Sequence, residues 1–128
     1  MSQKVQSEIC KPVGPYSLAV RSGGFLFCSG IIGIDKNGNL KSDLESQIEQ
    51  IFCNLTALLA THKLILAHVV KTTCFLTDMR NFERFNVMYA KAFGEHKPAR
   101  STVQVCSLPK GAAVEIEAIA ETAVRPRS

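Results

Sequence analysis

The chain has 128 residues, 46% of them hydrophobic and 20% charged, the size of one domain whose apolar core needs no disulfide or metal to hold it. Its net charge of +4 comes from 15 basic and 11 acidic side chains with no basic run longer than Arg125-Pro126-Arg127, so weak contact with anions is allowed and a nucleic-acid partner is not demanded. No stretch approaches the run of about 18 apolar residues that a spanning helix needs, and MSQKVQSEIC at the N-terminus has neither an apolar h-region nor a cleavage site, so a cytoplasmic chain without membrane contact is expected.

In chain order, residues 4–8 can add a first strand. Residues 16–21 and 25–28 read as a hairpin turning at Ser22-Gly23-Gly24. Asp35-Lys36-Asn37-Gly38-Asn39 is dense in turn residues, and Gly38 can supply a positive φ. The period then changes: Leu44, Ile48, Ile51, Phe52, Leu55, Leu58 and Leu59 share one face of a helix running to about His62. Ser42 or Asp43 can cap it, Ser42 with Glu45 three residues on in a capping-box arrangement. Residues 69–77 are β-branched and aromatic, a strand placed centrally in a sheet. Phe82, Phe85, Tyr89 and Phe93 recur at three- and four-residue steps on a second helix, and Gly94 ends it before Pro98. That aromatic stripe reads as the face that docks on a sheet. Two last strands, 101–106 and 113–122, flank Ser107-Leu108-Pro109-Lys110-Gly111.

The resulting order, β-β-β-α-β-α-β-β, predicts an α+β domain spanning 1–128, one mixed sheet with both helices on one face. The other sheet face is left without cover, so association of copies through it is expected. Cys10, Cys28, Cys53, Cys74 and Cys106 are odd in number, with no C-x-x-C spacing and no histidine partner. They are read as reduced thiols, four of them buried in elements as small hydrophobes, and no metal site is expected.

Arg100 follows Pro98-Ala99 at a strand entrance, where its fork can hold a carboxylate in a geometry lysine cannot copy; the competing reading is a surface ion pair. In Val114-Glu115-Ile116-Glu117-Ala118-Ile119, alternation puts Glu115, Glu117 and Ile119 on one face. A carboxyl sharing a face with isoleucine can have a raised pKa and serve as acid, base or water holder, or else be a solvated residue or half of a subunit ion pair. Tyr16 after Gly14-Pro15, the Ser29-Gly30 strand end and Asn86 in the aromatic helix are weaker candidates, each with an ordinary packing or turn role as its competitor. His62, His68 and His96 lack ligand spacing, and there is no phosphate loop, dinucleotide fingerprint or H-E-x-x-H.

Gly14-Pro15-Tyr16-Ser17-Leu18-Ala19-Val20, Phe27-Cys28-Ser29-Gly30, the stretch VKTTCFLTDM at 70–79, PARSTVQV at 98–105, and Leu108-Pro109-Lys110-Gly111 followed by VEIEAIA at 114–120 together resemble the reactive intermediate deaminase (RidA, or YjgF) family over almost the whole chain. The resemblance implies a chorismate-mutase-like fold and a homotrimer with inward-facing sheets and active sites at the subunit interfaces. It also implies hydrolysis of 2-aminoacrylate-type enamines and imines to 2-keto acids and ammonia, with no cofactor. By it Arg100 and Glu115 are catalytic, Arg100 binding the substrate carboxylate and Glu115 positioning or activating water, while Tyr16, Ser29, Gly30, Asn86 and Thr102 line the substrate pocket.

Two departures stand out. Ile31 follows Ser29-Gly30 where the family commonly has Gln, which is expected to make the cleft more apolar, and residues 60–68 lack the Ala-Gly turn that ends the first helix in many relatives. Two other activities are considered: ribonuclease or translation-inhibitor action, for which no basic-aromatic groove can be traced, and a ligand-binding or chaperone-like module without turnover.

Overall fold

The computed structural model describes Pro12 and residues 14–123. The expected strand at 4–8, Cys10 and the Arg125–Arg127 tail lie outside them. The elements are β1 (Ala19–Ser22), β2 (Phe25–Ile31), α1 (Leu44–Ala60), β3 (Val69–Leu76), α2 (Phe82–Phe93), β4 (Ala99–Gln104) and β5 (Val114–Glu121), with short 3-10 turns at Leu66–His68, Met79–Asn81 and Pro109–Gly111.

The strands form one mixed sheet in the order β1-β2-β5-β3-β4. Every neighbouring pair is antiparallel except β3 and β4, which are parallel. Two crossovers create that pattern. α2 returns the chain from β3 to its parallel neighbour β4, and α1 joins β2 to β3 across a gap that β5 later fills. The central strand is therefore β5, with β3 one place from the edge.

Each element follows from its local chemistry. Gly23 and Gly24 at φ +59° and +83° make the two-residue β1–β2 turn whose twist matches its strands. β1 begins later than predicted, at Ala19, because Gly14-Pro15-Tyr16 closes its own tight turn, Tyr16 N donating to Gly14 O at 2.9 Å. The α1 cap is Asp43, not Ser42: its Oδ1 accepts from Ser46 N at 2.8 Å and Ser46 reciprocates toward the Asp43 backbone. At the other end Lys63 takes the left-handed position at φ +62° that glycine usually fills. Its N–H donates to Ala60 O, and Leu64 N donates to Leu59 O, so the helix ends in a Schellman turn without a glycine.

Both helices lie on one face of the sheet. Ile48, Ile51, Leu55 and Leu59 of α1 join Phe85, Tyr89 and Phe93 of α2 over Leu26, Cys28, Cys74, Leu76, Val114, Ile116 and Ala118 in one core. Among the described residues no layer covers the opposite face. Phe25, Phe27 and Val103 are exposed there, and the register aligns Phe27 with Ile119 and Ile119 with Lys71 across three strands. The described residues include no helix long and apolar enough to cross a membrane.

Candidate functional site

The site begins with an irregularity in β2. Cys28 pairs with Ala118 but Ile31 pairs with Ile116, so Ser29 and Gly30 together oppose the single residue Glu117. This bulge breaks the alternation of the strand. Cys28 and Ile31 both turn toward the helices, where Ile31 packs against the main core, and Ser29 and Gly30 border a cavity on the other side. Ser29 Oγ donates to Ser17 O at 2.6 Å and Ser29 N to Leu18 O at 2.9 Å, which ties the bulge to the segment carrying Tyr16.

The cavity beside the bulge has a volume of about 540 Å³ and is lined by Tyr16, Ser29, Gly30, Ile32, Pro109, Glu115 and Glu117. Glu115 is half-buried, and burial first, then the neighbouring Glu117 charge, raises its pKa above the ordinary 4.5. Such a carboxyl can hold a proton nearer neutrality and pass it on. Pro109 comes from a turn in which Lys110 sits at φ +59° and its Nζ donates to Gly38 O at 3.3 Å, pinning this wall to the loop after β2.

A second cavity of about 300 Å³ lies between the end of α2 and the start of β4, lined by Asn86, Tyr89, Ala90, Phe93, Gly94, His96, Lys97, Pro98 and Arg100. The Arg100 guanidinium carbon is 4.7 Å from the Tyr89 ring centroid and 5.7 Å from those of Phe82 and Phe85. An aromatic bed of this kind holds a cation without neutralising it. Among the described residues the ion pairs are Arg80–Asp78 and Arg84–Glu45, and neither involves Arg100. Two more polar atoms nearby, Asn86 Oδ1 and Thr102 Oγ1, are buried without a hydrogen-bond partner among the described residues. Polar atoms so placed are rare in finished interiors.

The two cavities are not one site within the chain. Arg100 pairs with Thr72 and Thr102 with Cys74, residues of β3 that face the helices, whereas Glu115 pairs with Phe75 on the opposite face. Tyr16, Ser29, Gly30 and Glu115 share the first cavity; Arg100 and Asn86 share the second; Thr102 stands next to Arg100 on the same face of β4 but lines neither.

Two expectations are corrected. Ile31 does not make the cavity more apolar, because the bulge turns it into the core and gives its place on the wall to Ile32. Cys53 and Cys106 are exposed rather than buried: Cys53 is on the outer side of α1, and β4 ends at Gln104 before Cys106 is reached. The Phe82–Phe93 stripe is core and also the bed of Arg100, a second role that its helical spacing contains but does not announce. His96 and Lys97, which lack any motif, line the second cavity; their nearness to Pro98-Ala99-Arg100 is the one signal that marks them. Cys28 and Cys74 are buried as expected, and burial pushes their thiols up to about 12 and about 11.

Comparison with known proteins gives concordant matches. The family model described as endoribonuclease L-PSP matches residues 6–122. A RutC family protein of Pyrococcus horikoshii is 47% identical over 112 residues, covering 86% of this chain and 89% of that protein. The chloroplastic Reactive Intermediate Deaminase A of Arabidopsis thaliana is 42% identical over 110 residues, 84% of this chain and 59% of that one. The crystal structure of Escherichia coli TdcF with bound serine superposes with a TM-score of 0.87 at 33% identity, over 93% of this chain and 98% of the other.

Proposed function

The chain belongs to the endoribonuclease L-PSP family, which includes RutC proteins and reactive intermediate deaminases, and from that membership we propose that it hydrolyses 2-aminoacrylate-type enamines and imines to 2-keto acids and ammonia. The observation that carries this reading is the division of one chemistry between two cavities. An arginine suited to a carboxylate and without a counter-ion among the described residues sits on one face of the sheet, and a half-buried glutamate sits on the other.

A homotrimer joined through the uncovered sheet face unites them, the Arg100 cavity of one copy meeting the Glu115 cavity of the next. The apolar Phe25, Phe27 and Ile119 supply the buried area, and Asn86, whose Oδ1 has no partner among the described residues, lines the cavity that the next copy meets. TdcF with its bound serine supports a small amino-acid-like ligand for this scaffold.

The chemistry asks little of such a site. Arg100 holds the substrate carboxylate through two parallel N–H donors. A proton from solvent adds to the β-carbon of the enamine and gives the iminium, whose carbon is electrophilic. Water adds there as Glu115 accepts its proton, forming a carbinolamine. That proton passes to nitrogen, the C–N bond breaks and ammonia leaves, while the hydroxyl gives up its proton to Glu115 and on to solvent as the carbonyl forms. Tyr16, Ser29 and the Gly30 backbone border the place where water and the developing charge are held.

The test is to generate 2-aminoacrylate or its four-carbon homologue with a coupled dehydratase or amino-acid oxidase and follow the keto acid with and without the protein. Acceleration that disappears in Arg100→Ala supports the reading; equal rates with and without wild-type protein overturn it. The family's description makes an RNA assay the necessary companion, and salt-sensitive RNA cleavage unaffected by Arg100→Ala would point to the ribonuclease reading instead.

A further inference from the structure

Gly30 is a glycine for a reason its backbone does not supply. The glycines at positive φ are Gly23, Gly24, Gly38, Gly94 and Gly111; Gly30 is not among them, so its conformation is open to residues with a side chain. What a side chain there would meet is the Glu115 carboxyl, which would have to move aside. A Cβ on Gly30 would overlap Glu115 Oε2 outright and stand 2.7 Å from Cδ and 3.2 Å from Cγ. The whole carboxyl group of Glu115 thus lies against a bare Cα. The bulge in β2 is what delivers that Cα, because it turns both Ser29 and Gly30 to the cavity side opposite Glu117.

We propose that Gly30 is a positioning residue whose missing side chain forms the seat of the Glu115 carboxyl, fixing the height and direction of its oxygens in the cavity. This rests on the reading of Glu115 as the acid and base of the hydrolysis. The seat leaves one side of the carboxyl against backbone, where water cannot reach it, and the other toward the cavity. The titratable groups lining the cavity with Glu115 are Glu117 on its own strand and Tyr16 from the segment before β1; Ser29, Ile32 and Pro109 carry no charge.

The test compares Gly30→Ala, Glu115→Ala and the double variant with wild type, each as the intact assembly. Carboxyl-carbon NMR follows the titration of Glu115, thermal melts give a double-variant cycle, and the coupled assay separates kcat from KM. A seat predicts that Gly30→Ala moves the Glu115 midpoint down toward that of an exposed glutamate and lowers the melting temperature. It also predicts that the same substitution costs nothing further in the Glu115→Ala background, where the methyl has room. In turnover, kcat falls about 30-fold or more with KM changed less than about threefold, since Arg100 still holds the substrate carboxylate. If Gly30→Ala fails to fold while the double variant folds, the seat is supported by that contrast alone. An unchanged Glu115 titration in Gly30→Ala, or additive melting losses, overturns it. A shifted titration with unchanged kcat leaves the seat standing and instead removes Glu115 from the proposed reaction.

Discussion

The guanidinium carbon of Arg100 lies 4.7 Å from the centroid of the Tyr89 ring, and the Tyr89 hydroxyl is itself 2.6 Å from the buried hydroxyl of Thr72. The ring is thus held at its hydroxyl edge by one hydrogen bond while its face meets the cation. Removing the two functions separately distinguishes them. Tyr89→Phe keeps the face and leaves the Thr72 hydroxyl, 0% exposed, with only the weak Cys74 thiol donor at 3.9 Å; a stability loss of about 1 kcal/mol is expected in denaturant melts, with turnover nearly unchanged. Arg100→Ala reverses the pattern, losing about 100-fold or more in kcat/KM with little effect on stability. Arg100→Lys does not restore it, because an ammonium cannot reproduce the bidentate fork.

These two residues also mark how far the sequence could be read. Arg100 after Pro98-Ala99, and Glu115 in an alternating strand, are each visible as residue types in a local pattern. That they lie on opposite faces of the sheet is a matter of register between β3, β4 and β5, which depends on two long crossovers and leaves no local trace. α1 is legible for the opposite reason, since its apolar positions repeat at helical spacing and its buried face contains the seven residues so placed. Its cap is ambiguous by one residue because Ser42-Glu45 and Asp43-Ser46 both satisfy the same spacing rule, and only the extended backbone of Asp43 at φ −128° selects between them. The bulge at Ser29-Gly30 is the least legible feature. A two-against-one pairing is a property of two strands at once, and it reverses the facing of Ile31.

The acid limb of the chemistry has a stability counterpart. Burial and Glu117 raise the Glu115 pKa above 4.5, so between that value and the raised one the folded chain keeps a proton that the unfolded chain has released. Stability from this group is complete below the ordinary value and is lost as pH rises through the folded one. Glu115→Gln, which imitates the protonated form, is therefore expected to melt above wild type at about pH 7.5 and together with it near pH 4. The same substitution lowers kcat about 100-fold or more. Melting curves at the two pH values check the sign, and a wild type that outlasts Glu115→Gln at the higher pH contradicts it.

Gln47 ties α1 to the loop before it and to the residue that precedes β5. It is 4% exposed, its Nε2 donating to Lys41 O at 3.0 Å and its Oε1 accepting from Ala113 N at 2.9 Å, directly before β5. Gln47→Leu keeps the bulk and leaves both backbone groups unpaired, for an expected loss of about 2–4 kcal/mol. Gly33 lets this contact form, since a Cβ there would stand 2.6 Å from Gln47 Cα. Gly33→Ala should cost about 1–3 kcal/mol through backbone displacement, read from the midpoint of urea unfolding.

The uncovered sheet face makes assembly and activity separable. Phe27 is 44% exposed in the single chain and shares its row with Ile119. A charge at the centre of an apolar interface has no partner there, so Phe27→Glu is expected to yield a species sedimenting at the 14.0 kDa of one chain. Its helices and sheet should still unfold cooperatively, because Phe27 points away from the core under α1 and α2. Keto-acid formation should be lost with the assembly. Full activity from a monomer would show that the two cavities act independently.

The sharpest test of a divided site uses two inactive proteins. Arg100→Ala retains the Glu115 cavity, and Glu115→Gln retains the Arg100 cavity. If each working site takes its arginine from one copy and its glutamate from the next, unfolding the two together and refolding the equal mixture produces some interfaces with both groups intact. With random assembly the arginine donor is the Glu115→Gln chain in half of the sites, and independently the glutamate donor is the Arg100→Ala chain in half, so about one quarter of wild-type activity returns. A site contained within one chain returns none, because every chain in the mixture lacks one of its two groups. The opposite placement of Arg100 and Glu115 across the sheet therefore becomes a number that the coupled assay reads directly, with each variant refolded alone as the zero.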